Sequence, residues 1–215
     1  GWSVKKLNTL ILNSATFQMS STPNAAALKI DPTNRLLSRA PLRRMEAEPL
    51  RDSLLQISGQ LDLKVGGTIW TFENYKLVFN HTSEDATSYN VNRRSIYLPV
   101  IRNHVYDLFE LFDFPNPNMM SGNRTATTIA SQALFLMNSP FMIERAKRLV
   151  GRLQAQAPDN PQRIEYAYQL LYSRTPTPRE LAAGRRFIES DPDADVRWPQ
   201  YAQVLLSAHE FMEIQ

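Results

Sequence analysis

Val4, Leu7, Leu10, Ile11 and Ala15 recur at the three-and-four spacing of one helical face, and Ser3 stands at the cap position before them. Ser-Thr-Pro at 21–23 is expected to stop this helix, and Asp31-Pro32 to form a turn. In the next unit, Pro41 to Gly67, residues Leu50, Leu54, Ile57 and Leu61 share a helical face. Pro49 has no backbone N–H to donate, so it begins the second part of that unit or kinks the whole. Gly66-Gly67 ends regular structure. Residues 68–92 alternate only weakly and predict a loop or short hairpin. Residues 94–100 predict a short strand ended by Pro99. Residues 104–112 predict a short helix with Val105, Leu108, Phe109 and Phe112 facing inward.

The back half is more periodic. Thr127 or Thr128 can cap a helix running through Leu136. Ser139-Pro140 joins a cap to a proline in the first helical position, and Met142, Ala146, Leu149, Val150 and Leu153 then form an apolar stripe. Asn160-Pro161 repeats the device ahead of Ile164, Ala167, Tyr168 and Leu171. Thr177-Pro178-Arg179-Glu180 is a capping box, in which threonine caps and glutamate reaches back. Trp198, Tyr201, Val204, Leu205, Ala208, Phe211 and Met212 make the terminal helix amphipathic. The expected class is mainly α: an irregular helical domain with a short β hairpin or extended segment near the middle. Residues 1–137 would form a front helical region with a central loop or short-strand insertion, the C-terminal part of a larger domain. Residues 138–215 would form a four-helix region packed on it.

Charge refines this picture only mildly. Residues 155–215 carry 6 arginines, no lysine and 9 acids, a net of −3, which leaves 18 basic and 12 acidic groups, a net of +6, in the first 154 residues. That bias permits an acidic ligand, but no basic run, helix-turn-helix spacing or zinc finger points to nucleic acid. The absence of cysteine excludes disulfides, thiolate metal sites, a cysteine nucleophile and haem attachment within this chain. No run of about 18 apolar residues is present to span a membrane. No Gly-rich phosphate loop or G-x-S-x-G elbow occurs, and nothing calls for a cofactor.

The candidate chemistry lies in the middle of the chain. His104, after Arg102 and Asn103, is the best acid–base candidate, because an imidazole ordinarily titrates near pH ~6.5; the alternative is a cap or an aromatic junction. His81 and His209 have no metal-ligand spacing. Glu110 and Asp113 are a carboxylate pair of the kind glycoside hydrolysis uses, although Asp-Phe-Pro at 113–115 also suits a rigid turn whose aspartate accepts backbone N–H bonds. Arg93, Arg94 and Arg102 beside Tyr97 and Tyr106 can form a cationic, aromatic groove for sugars, acidic glycans or protein chains, or can pair with internal acids. Arg124, after Gly122-Asn123, stands either at an anion-binding helix start or in a turn. Arg43, Arg44, Glu46, Glu48, Arg51 and Asp52 have the spacing of an ion-pair network on a helix, Arg43 to Glu46 and Glu48 to Arg51 both being three apart.

Taken together, several segments resemble the planctomycete PSD1 domain, also called DUF1553, a domain of unknown function. They are GWSVKKLNTLILNSATFQMSS at 1–21, DPTNRLLSRAPLRRMEAEPLRDSLLQISGQLD at 31–62, RRSIYLPVIRN at 93–103, LFELFDFPNPN at 108–118, RTATTIASQALFLMNSPFMIERAKRLVGRL at 124–153, LLYSRTPTPREL at 170–181 and the closing LLSAHEFMEIQ. They occur in family order. The chain departs from the pattern at Pro49, at His209 and Met212, and before Arg124, where a cysteine is common. The resemblance implies an upstream arginine-rich, tryptophan-containing helical segment and an extracytoplasmic setting, periplasmic or secreted. It also implies partner domains in the same parent protein, sometimes a c-type cytochrome. It implies no established reaction and carries over no catalytic residue.

The function expected is therefore a non-catalytic helical accessory or interaction module, holding other domains of its parent protein, a polysaccharide or an envelope protein. The alternatives are part of a carbohydrate-active hydrolase using Arg102, His104, Glu110 and Asp113, and a docking domain for a c-type cytochrome.

Overall fold

The structure, a computed structural model, describes residues 1–67, 69, 88–102, 104–191 and 193–214. It is mainly helical, with one short two-stranded antiparallel pair. The chain divides into two compact units: Gly1–Arg44 with Glu213–Gln215, and Met45–Met212.

In the first unit, α1 (Val4–Leu12) is capped by Ser3, whose Oγ accepts the Lys6 N–H at 3.3 Å. It ends at Asn13, well before the proline expected to stop it. None of its residues is buried. Helix α2 (Ala25–Ile30) is capped by Asn24. The Asp31-Pro32 turn forms as expected. The Asp31 carboxylate accepts N–H bonds from Leu36 at 2.6 Å and Arg35 at 2.9 Å, and the Leu36 bond above all holds its pKa below the ordinary value. Strand β1 (Arg43–Arg44) pairs with β2 (Glu213–Ile214), Arg43 opposite Ile214.

The second unit holds the core. Helix α3 (Ala47–Ile57) buries Leu50, Leu54 and Ile57, while Leu61 lies beyond its end. Pro49 sits in the first turn, where a missing N–H costs nothing, so no kink results. Residues 68–92, expected as a loop or hairpin, fall largely outside the described residues. The strand expected at 94–100 is instead a 3-10 turn at Ser95–Tyr97, followed by an extended Leu98. Helix α4 (Asp107–Leu111) buries Leu108 and Phe109, with Phe112 buried just after it.

Helix α5 (Ala130–Asn138) starts later than the threonine caps predict. Thr127 serves Asp113 instead, and Gln132 receives the Ile129 N–H at 3.4 Å while donating to the Leu111 carbonyl at 2.9 Å. In α6 (Pro140–Gln156) the whole stripe from Met142 to Leu153 is buried, and Ser139 Oγ accepts the Met142 N–H. Each large side chain of that stripe contributes about 1.5–3 kcal/mol by leaving water. Helix α7 (Asn160–Tyr172) is capped by Asp159, one residue before the expected asparagine. Helix α8 (Pro178–Ile188) has the capping box: Glu180 N–H to Thr177 Oγ1 at 3.3 Å and Thr177 N–H to Glu180 Oε2 at 2.7 Å. Helices α9 (Ala194–Ser207) and α10 (His209–Met212) close the unit, with α9 packed along α6.

A cationic knot joins three of these helices. Arg174, after the left-handed Ser173 that ends α7, donates to both oxygens of Glu180 on α8, at 2.8 and 3.0 Å, and of Glu210 on α10, at 2.6 and 2.8 Å. Its guanidinium also lies over Tyr168 and Tyr172. The Arg174 bonds lower the Glu180 pKa to about 2, and burial pushes the Tyr172 phenol up.

Candidate functional site

The site region is built on α3. Arg51 projects from its buried face and is wholly removed from solvent. Its Nη1 donates to the Arg93 carbonyl at 2.8 Å and to Ser95 Oγ at 3.3 Å, and its Nη2 donates to the Val91 carbonyl. Asp52, next along the helix, accepts the Ser95 N–H at 2.8 Å and its hydroxyl at 2.6 Å. Burial lowers the Arg51 pKa, while neighbouring Tyr106 and Asp52 oppose that shift. Arginine suits this position because its planar fork can reach several carbonyls from one stem. Arg51 and Asp52 thus peg the chain at 91–95 against α3. They do so through its backbone and Ser95, not through the arginine side chains of that segment.

Arg93 turns the other way. Its Nη2 donates to the carbonyls of Lys64 at 3.1 Å and Gly66 at 2.6 Å, its Nε lies 3.6 Å from Asp62, and its guanidinium covers the Tyr97 ring. Gly66 and Gly67 have φ of 67° and 82°, the left-handed backbone that lets the chain turn under this arginine.

Arg124 is not at a helix start, since α5 begins at Ala130. Its two terminal nitrogens grip Glu48 at 2.7 and 2.9 Å, and Glu46 lies 2.9 Å away. The Glu48 bonds raise the Arg124 pKa. The spacing-based pairs on one helix do not form as expected: Glu46 and Glu48 face Arg124 instead, and Arg43 and Arg44 belong to β1.

Three of the four hydrolytic candidates do meet. Arg102, His104 and Glu110 line one cleft of about 370 Å³, with Asp107, Asn116 and Asn118. Asp113 does not line it. With a φ of 63°, it accepts the Thr127 N–H and hydroxyl, each at 2.7 Å, which is the turn role its sequence context suggested. Among the described residues, the His104 imidazole hydrogen-bonds to no carboxylate. Asn103 lies outside the described residues, as does His81. Arg94 lines a different groove, of about 580 Å³, beside Ile96, Val100 and the Glu48–Arg124 pair. Neither Arg94 nor Arg102 pairs with a carboxylate among the described residues.

A third recess, of about 400 Å³, shares His104 and Asp107 with the 370 Å³ cleft. Tyr89, Asn90, Asn92, Tyr106, Phe141, Glu144 and Arg145 complete its wall. Tyr89 stacks on His104 and on Tyr106, with centroids 6.4 and 4.9 Å apart. The sequence reasoning missed this cleft. Its one readable signal was Arg145, a charged residue three after Met142 and four before Leu149, on the buried stripe of α6.

No group of three or more His, Cys, Asp or Glu residues able to hold a metal ion occurs among the described residues. No helix described is long and apolar enough to cross a membrane. The fold and clefts define a helical domain with several surface recesses. The family described as PSD1, protein of unknown function (DUF1553), matches residues 1–188, and the chain belongs to that family. No curated protein matches the chain, and no solved structure does.

Proposed function

We propose that this domain is a non-catalytic helical interaction module within a larger secreted or envelope-associated protein. One observation carries it. Helix α1 has a regular apolar face, Val4, Leu7, Leu10 and Ile11, and every one of these residues is exposed. A capped helix that hides none of its apolar stripe has a surface suited to a partner. The occupant is another domain of the same parent protein. Arg94 and Arg102, without carboxylate partners among the described residues, add cationic points at which a polysaccharide or envelope protein could be held. Hydrogen exchange tests the main claim. Amides of Val4–Leu12 should exchange more slowly in a longer parent protein than in this chain alone, and Leu7→Asp with Leu10→Asp should abolish the difference. Equal exchange in both contexts refutes the claim.

A hydrolytic reading has one observation in its favour, the gathering of Arg102, His104 and Glu110 at a single cleft. It would need Glu110 to work without Asp113, which is engaged by Thr127. Turnover of a panel of polysaccharides that is lost in both His104→Ala and Glu110→Gln would support it. Binding without turnover would leave the interaction module standing. Docking of a c-type cytochrome would draw on the same exposed apolar face, and no feature of that face selects a haem protein.

A further inference from the structure

Arg145 is 2% exposed, yet its guanidinium is only partly satisfied. Nη2 lies 2.8 Å from Glu144, and Phe141 covers the group at 5.1 Å, but Nε and Nη1 meet no acceptor among the described residues. Arg51 differs: both its terminal nitrogens reach carbonyls. A buried cation with idle donors is unfavourable, and folds tolerate it where something else completes the group. Arg145 forms part of the wall of the 400 Å³ cleft, a volume in the range of small-molecule sites.

We propose that this cleft binds a small organic monocarboxylate, whose oxygens take up the idle N–H groups of Arg145. The surrounding charge selects a monoanion. Glu144 and Asp107 already face the cleft, so a dianion such as phosphate meets two carboxylates for one directly available arginine. Tyr89, Tyr106 and Phe141 offer aromatic surface to the ligand body, and Asn90 and Asn92 offer amides to its polar groups. Half-buried Phe141 is the side chain that must shift to open the guanidinium. The proposal goes beyond the interaction-module reading by giving one recess a ligand class of its own.

The test titrates the full chain with benzoate and with glucuronate to about 10 mM, enough to detect millimolar binding. Benzyl alcohol and glucose are the uncharged counterparts, and inorganic phosphate is the dianion. Calorimetry and the side-chain Nε–H resonance of Arg145 report binding. Saturable binding of either carboxylate, absent with its uncharged counterpart, is expected; which one binds tells a ring acid from a sugar acid. Arg145→Lys should weaken it at least about tenfold, because the planar fork is lost. Asp107→Asn, an exposed change that removes a like charge, should strengthen it about two- to threefold. If the lysine variant does not fold, the Arg145 Nε–H resonance of the unaltered chain decides: it should shift with the carboxylate and not with its uncharged counterpart, and carboxylate binding that leaves it unmoved overturns the proposal. No saturable binding of either carboxylate, equal binding of the uncharged compounds, or binding of phosphate alone overturns the proposal. The α1 exchange experiment is independent of these outcomes, so either idea can fail without the other.

Discussion

Glycines in two different helices should respond differently to the same substitution. Gly184 lies inside α8, and a Cβ built there would stand 2.5 Å from Tyr201 Oη, 2.9 Å from Cζ and 3.2 Å from Ile164 Cδ1. Gly151 lies inside α6, and a Cβ there meets nothing within 4 Å. Alanine in place of glycine in a helix interior gains up to about 1 kcal/mol from backbone entropy and propensity. Gly151→Ala should keep that gain. At Gly184 it is opposed by overpacking, which typically costs about 1–3 kcal/mol. Tyr201 cannot easily retreat: it is buried, its ring lies 5.8 Å from that of fully buried Trp198, and α9 carries both. Gly184→Ala should therefore be neutral to destabilising by about 2 kcal/mol, and the gap between the two variants should be about 1–3 kcal/mol. Urea unfolding followed by far-ultraviolet circular dichroism measures both midpoints. Equal stabilisation by the two alanines would refute the claim that Gly184 exists for close approach of α8 to α9.

The Arg174 knot predicts a pH dependence. Glu180 is held at about 2, below the ordinary carboxylate value, so its share of stability is present above pH ~4.5 and is lost as pH falls from there toward the folded value. Arg174→Gln should flatten that acid limb in urea midpoints taken between those values, and an unchanged limb counts against the assignment. Arg124→Gln removes a half-exposed two-point grip on Glu48 and should cost about 1 kcal/mol, less in high salt; a larger, salt-independent loss would mean the pair does more than tie α3 to the 124 region. Arg51→Met leaves the Val91 and Arg93 carbonyls without their buried donor and should cost about 3–5 kcal/mol or prevent folding. Soluble expression with an unshifted urea midpoint would contradict the role of Arg51 as a buried peg.

Sequence periodicity determined the back half of this protein well. The Met142–Leu153 stripe, the Ser139-Pro140 start and the Thr177–Glu180 box are local devices, each complete within one or two turns of helix, so spacing alone reveals them. The same logic located α1 and the Asp113 turn. It failed where the partner of a side chain lies far along the chain. Glu48 has an arginine three residues on, yet it binds Arg124, 76 residues away, because Arg51 faces the core and is taken by backbone carbonyls. Thr127 looked like a cap and instead closes on Asp113. Arg102, His104 and Glu110 were legible as polar residues near one another, but their sharing of a cleft from which Asp113 is excluded is a product of how α4 and its exit turn sit. Arg145 and its aromatic neighbours were invisible as a group, since Tyr89 and Phe141 are 52 positions apart in sequence and meet only at the cleft wall. Helices and caps follow from short-range hydrogen bonding, which the sequence writes out residue by residue. Which charge meets which, and which is left idle in the interior, is decided by the packing of distant helices, and only the tertiary structure records it.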